Sequence, residues 1–279
     1  GAFIAELAKA NSGLHNKLVE ARTNPDALET KVESSLIIDI APHVEDFIGK
    51  LFGIRKDIAT LSAKHDELAN IYICKRLFVQ RQAAKAYKPE EAETFSGVEL
   101  DKSLEQWFGE VLTEKSFANH VNQWLENKEA NADKIEAATK YAAWALYSTA
   151  GKKKHKLGVL FKIPKKLDFA NLVPVETEVV NGVTVKKLHD SHLRHREGFA
   201  LTDKGGSLKV ALDDANYCIF CHNQGKDSCS KGLKEKDGSF KKSIHNVPQA
   251  GCPLEEKISE MNVLKSRGVA IGALATVVV

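Results

Sequence analysis

The chain has 279 residues, 43% hydrophobic and 28% charged, an ordinary globular composition long enough for about two domains. Forty Lys and Arg against 37 Asp and Glu leave a formal net charge of +3, too balanced to argue for a nucleic-acid partner. No run approaches the ~20 apolar residues that span a bilayer, and five cysteines with no signal peptide point to a reducing, cytoplasmic setting rather than a secreted disulfide scaffold.

Residues 1–150 read as helical. Phe3, Ile4, Leu7, Leu14 and Leu18 recur at three-to-four spacing, and Asn24-Pro25-Asp26 marks a turn. Leu36 to Pro42 is rich in β-branched residues and reads as a short strand or as the approach to a helix that Pro42 opens. Val44, Phe47, Ile48, Leu51 and Phe52 predict a helix there. The next is expected from Asp57 to Tyr87, ended by Lys88-Pro89, because a residue before proline avoids the helical region. Asp101 is expected to cap a helix carrying Leu104, Trp107 and Phe108. One further helix carries Phe117, Val121, Trp124 and Leu125; another carries Ile135, Tyr141, Trp144 and Leu146. Aromatics at that spacing are core, and Cys74, inside an apolar helical stretch, reads as a small core residue.

The character changes at Gly151. The basic run Lys152 to Lys156 reads as a solvated loop, and Asn181-Gly182 between alternating β-branched runs predicts a hairpin. Residues 151–189 are thus expected to be a β-hairpin connector, and residues 190–279 hold four of the five cysteines. The chain closes on an apolar run, Ile271 to Val279, expected to be an uncovered patch in a piece of a longer protein.

The cysteines follow the pattern C-x2-C-x7-C-x22-C-P at Cys218, Cys221, Cys229 and Cys252. Two thiolates three residues apart can converge on one metal centre, and small polar residues around Gly225 leave backbone N–H groups free to face it. Pro253 suits the first turn of a helix, which would put Cys252 just before a helix N-terminus. A four-cysteine set closing on Cys-Pro is a habit of iron–sulfur ligation. The alternative is zinc in a helical interaction module, although zinc ribbons usually show two close cysteine pairs. His222 and His245 lie between the ligands and read as solvent-exposed or outer-shell groups.

Residues 190–279 resemble the N-terminal iron–sulfur domain of the glutamate synthase small subunit and dihydropyrimidine dehydrogenase group. The resemblance is carried by Arg194-His-Arg196-Glu-Gly-Phe199, by Ala211 to Cys218, by the cysteine core, and by Gly251 to Met261 and Gly268 to Ala275. It implies a mainly α protein: a helical N-terminal region, the hairpin connector, and an α-helical, ferredoxin-like C-terminal domain. It also implies that Cys218, Cys221, Cys229 and Cys252 ligate one 4Fe-4S cluster or contribute to two. The parent would be a bacterial pyridine nucleotide-disulfide oxidoreductase using FAD and NAD(P)H. Its catalytic domains would lie downstream, since no G-x-G-x-x-G follows a strand here. The partners implied are that flavin domain and another redox centre, with neither nucleic acid nor membrane. Lys226, Lys231 and His222 would favour the reduced centre. The basic stretches Lys152–Lys156 and Lys231–Lys242 offer no run of stacking aromatics for single strands.

Overall fold

The computed structural model describes residues 1–278 apart from 165, 166, 170, 174, 194, 203 and 204. Asn11 separates the first two helices, α1 (Ala2–Ala10) and α2 (Ser12–Thr23), by accepting the Leu14 N–H at 3.0 Å on its side chain. The Asn24-Pro25-Asp26 break becomes a single 3-10 turn, Pro25–Ala27. Beyond it, α3 (Thr30–Phe52) runs unbroken through Pro42, so Leu36–Pro42 is neither a short strand nor the approach to a helix that Pro42 opens. Proline removes one backbone donor from the ladder. The helix survives it because Ser34, Ala41 and Gly49 along its length are buried by tertiary packing, which outweighs local propensity. Gly53 ends it in the left-handed conformation, at φ +69°.

The long helix expected from Asp57 to Tyr87 is α4 (Arg55–Cys74), a π-helical stretch (Lys75–Ala83) and α5 (Ala84–Ala86). Tyr87 and Lys88 are extended and Pro89 opens α6 (Pro89–Ala92), as a proline at the first helical position should. Ser96, not Asp101, caps α7 (Gly97–Phe108): its hydroxyl accepts the Glu99 N–H, and Asp101 instead pairs with Lys154 at 2.6 Å. Thr113 and Ser116 form a capping box on α8 (Glu114–Glu126). Next come α9 (Ala132–Tyr147) and α10 (Thr149–Lys154).

The main core gathers α4, the π stretch, α7, α8, α9 and the segment Val159–Phe161 around Phe117. The Phe117 ring lies 5.0 Å from Phe161, 5.9 Å from Tyr141 and 6.2 Å from Phe78, the edge and tilted geometries that aromatic quadrupoles prefer. Glu114 ties three elements together: one carboxyl oxygen accepts the Val159 and Leu160 N–H groups at 2.7 and 2.6 Å, and the other accepts Lys209 Nζ. Cys74 is fully buried in this core, and burial pushes its thiol well above the ordinary range. His155 packs against Phe161 and receives the Tyr141 hydroxyl at 3.0 Å.

That position makes His155 sensitive to acid. Burial, helped by the Lys154 charge, lowers its pKa from 6.5 to about 4. As pH falls below the unfolded value, the unfolded chain takes up a proton that the folded chain refuses. Stability present above pH 6.5 is therefore lost towards pH 4, by roughly 1–2 kcal/mol once solvent screening of this partly exposed ring is counted. Urea melts at pH 7 and pH 4.5 should show this loss, and His155→Gln should flatten most of it.

Asn181-Gly182 forms the expected tight hairpin between β1 (Glu176–Val180) and β2 (Val183–Lys187), with both turn residues at positive φ. Every residue of both strands is exposed. The protein is mainly α, this antiparallel pair being the one sheet among the described residues. No described helix is long and apolar enough to cross a membrane.

The C-terminal part comprises α11 (Leu208–Tyr217), α12 (Ser228–Lys231), α13 (Ile258–Ser266) and α14 (Ala270–Ala275). A second core joins Ala41 of α3 to Val263, Leu264 and Ala273, with Phe220 and Met261 at its edge. Glu45 caps α14 from α3 by accepting the Ile271 and Gly272 N–H groups at 2.7 and 3.2 Å. The apolar tail is therefore partly covered: Ala273 is buried on α3, whereas Leu274 and Val278 are 54% and 66% exposed. Val279 lies outside the described residues.

Candidate metal centre

The cysteine segment begins where α11 ends, with Cys218 at its C-cap. Phe220 then adopts φ +53°, a conformation that costs a bulky residue energy, and the turn aims its N–H at the Cys218 sulfur at 3.4 Å. The π stretch supplies the support. Arg76 donates to the Cys218 carbonyl at 3.3 Å and stacks its guanidinium 4.8 Å from the Phe220 ring centre. Its neighbour Lys75, almost buried, pairs with Asp213 of α11 at 2.5 Å. The turn is thus clamped from the main helical core.

Cys221 is buried at the start of the 3-10 turn Cys221–Gln224, and its sulfur accepts the Ser228 N–H at 3.5 Å. That contact sets it against the backbone just before Cys229. Cys229 itself is exposed. Its thiol pKa is raised, first by partial desolvation and then by the negative charge that Cys221 and Cys218 would place beside it.

Cys252 is separated from Cys229 by 22 residues, and the structure explains how it returns. The intervening segment folds back as a small exposed ribbon: Leu233 donates to the Gln249 carbonyl, while Lys241 donates to that of Leu233 and Gln249 to that of Lys241. The ribbon closes where Gly232 and Gly251 let two backbones touch. A Cβ on Gly251, at φ +89°, would lie 2.3 Å from the Ser230 carbonyl oxygen. There the Cys252 N–H donates to the carbonyls of Cys229 and Ser230 at 2.9 and 3.1 Å. Pro253 does not open a helix. Pro253 and Leu254 make a turn, Glu255 follows at φ +51°, and α13 starts only at Ile258, so no helix begins at Pro253.

Behind the cysteines lies a buried polar layer that the sequence pattern does not reveal. Ser259, fully buried, meets the His222 Nδ1 at 2.7 Å and the Cys218 sulfur at 3.9 Å. Glu260, also fully buried, accepts the Ser34 hydroxyl on one oxygen, while its Oε2 has no partner among the described residues. Ser230 Oγ is orphaned in the same way. Burial lowers the pKa of His222 and keeps its ring neutral, with the Glu260 charge opposing it. Lys257 bridges Glu33 of α3 and Asp227 at 2.8 and 3.2 Å; burial pulls its pKa down, but the two carboxylates outweigh this and hold it above the ordinary range. The one signal for this layer is that Glu260 and Leu264 are four residues apart on the buried face of α13.

The Ser228 N–H contact brings Cys221 beside the Cys229 segment, and the backbone crossing brings Cys252 beside Cys229. No three His, Cys, Asp or Glu side chains among the described residues enclose a single ion directly. Orphaned buried polar atoms are costly, and two of the three in the described residues flank this segment. Two of the sulfurs accept backbone N–H groups, which would lower the cost of thiolate charge there.

Fold and site together define a mainly helical protein with a cysteine segment docked on its N-terminal helices. Residues 1–53 match the family described as the RP005 N-terminal alpha-helical domain. Over 280 residues the chain is 31% identical to protein RP005 of Rickettsia prowazekii (strain Madrid E), covering 95% of this chain and 91% of that one. The chain belongs to the RP005 family. No solved structure matches it.

This kinship overturns the resemblance to the iron–sulfur domain of the glutamate synthase small subunit and dihydropyrimidine dehydrogenase group. It runs through residues 1–189, where that resemblance had no counterpart, and no iron–sulfur or oxidoreductase family is among the matches. Cysteine spacing follows ligand chemistry, which recurs on unrelated folds. The late start of α13 departs from the expected pattern too, and Arg194 lies outside the described residues. The expected FAD, NAD(P)H and downstream flavin domain stood on that resemblance alone.

Proposed function

We propose that Cys218, Cys221, Cys229 and Cys252 hold an iron–sulfur centre, with 4Fe-4S as the cluster type, and that the protein is an electron-transfer module in a reducing compartment. The observation that carries this reading is the Phe220 turn, which aims one N–H at Cys218 while a second, from Ser228, meets Cys221. Zinc is the weaker fit, because the second half of the ligand set is one exposed cysteine and one brought by a ribbon, not a second close pair.

Such a cluster would supply a one-electron centre when bound. The chain's own residues do the rest. The Phe220 and Ser228 N–H groups stabilise thiolate charge, Arg76 fixes the turn, and Ser259 with neutral His222 lines the buried side. Replacing Cys218, Cys221, Cys229 or Cys252 singly by serine should lower bound iron to less than about half, since each supplies one of four ligands. Cys74→Ser should leave it unchanged. Iron loss in the Cys74 variant alone, or in none of the five, would reject the assignment.

A further inference from the structure

The face around Cys221 opens into a cavity of about 630 Å³ whose rim is lysine. Lys226, Lys231, Lys234, Lys236 and Lys241 all line it, with Glu235 the one exposed acid among its lining residues. Asp227 is almost buried and neutralised by Lys257. Residues 226–242 contain six lysines and three acids, and the remainder of the chain carries 34 basic and 34 acidic residues. The whole net charge of +3 therefore resides in this segment.

These lysines are held out, not used internally. Among the described residues, Lys226, Lys231, Lys236 and Lys241 make no ion pair, and Lys234 only stacks on Phe240 at 5.6 Å. Ile219, between the first two cysteines, is 78% exposed at the cavity and Leu233 is 40% exposed. An apolar tip inside a ring of like charge is the layout of a small, transient docking face: charge steers the encounter and the apolar tip makes the short-range contact.

We propose that this ribbon face docks an acidic protein over the cysteine centre. The partner is identified by charge and surface chemistry. The rim holds lysines and no arginine, so it offers mobile point charges that steer an acidic surface, not a planar fork that fixes one anion bidentately. No aromatic residue lines the cavity, so it offers no stacking platform for nucleic-acid bases. The partner's role rests on the electron-transfer reading above; the docking face rests on the charge layout.

Labelled poly-L-glutamate, titrated into the full chain by fluorescence anisotropy, is the probe. Binding should weaken steeply with salt and fall by about tenfold or more in Lys231→Glu/Lys234→Glu/Lys241→Glu, three reversed charges at one face. The milder Lys231→Gln/Lys234→Gln/Lys241→Gln should lie between, and thermal melts confirm that both fold. Lys152→Glu/Lys153→Glu/Lys156→Glu, on the other basic run, should leave binding within about twofold. Equal losses in both triple variants, salt-insensitive binding, or tighter binding of poly-uridylate than of poly-L-glutamate would overturn the proposal. A colourless preparation that still shows the ribbon-specific loss would reject the cluster and retain the docking face.

Discussion

Phe117→Ala should destabilise the protein by about 3–5 kcal/mol, a large share of the roughly 5–15 kcal/mol that holds a domain together. Phe117 is fully buried, and its ring contacts Phe78, Phe108, Tyr141 and Phe161, which belong to the π stretch, α7, α9 and the Val159–Phe161 segment. Removing it leaves a cavity walled by four aromatic rings from separate elements, which cannot close without moving helices. Urea denaturation followed by circular dichroism should show the loss as a lower midpoint at unchanged slope. A cost below about 1 kcal/mol would mean that the site collapses freely, and the core described here would be wrong.

Gly251→Ala should have the largest effect on the cysteine segment. The left-handed conformation alone costs a side chain about 1–3 kcal/mol, and the new Cβ would also sit 2.3 Å from the Ser230 oxygen and 2.5 Å from the Gly232 nitrogen. Both are backbone atoms, so no rotamer relieves the overlap. The crossing must open, and the Cys252 N–H then loses the Cys229 and Ser230 carbonyls. Bound iron should fall as far as in Cys252→Ser, the 233–249 ribbon should become more sensitive to protease, and the melt of the helical core should move little. Gly238→Ala is the control: its φ is also positive, but a Cβ there meets nothing within 4 Å. Full iron content in Gly251→Ala would show that the crossing does not position Cys252.

Much of the helical half is legible from periodicity, because many residues at three-to-four spacing are buried, among them Leu7, Leu14, Leu104, Phe117, Val121, Ile135 and Tyr141, whereas Leu51, Phe52 and Trp107, read from the same spacing, are exposed. The Asn181-Gly182 hairpin is legible for a different reason, since its turn demands two positive φ values and Asn-Gly tolerates them. Pro42 misleads: a proline reads locally as a break, while the packing that carries α3 through it comes from α13 and α14, more than 200 residues away in sequence. Asp101 misleads because a short acid serves equally as a cap or as a surface partner, and Ser96 was nearer the true start. At the candidate site the cysteines stand out by spacing alone. Glu260, Ser34 and Arg76 do not, because they reach the site across long sequence separations and no local pattern encodes that meeting. The same limit applies to Cys252, whose nearness to Cys229 depends on two glycines and a ribbon.

Iron and acid-labile sulfide in the full chain, purified without oxygen and recorded with its visible absorption, test the central claim most directly. The cysteine arrangement predicts iron and sulfide in equal amounts and a broad visible absorption that dithionite bleaches. A colourless protein free of iron, or one carrying zinc in its place, would contradict it.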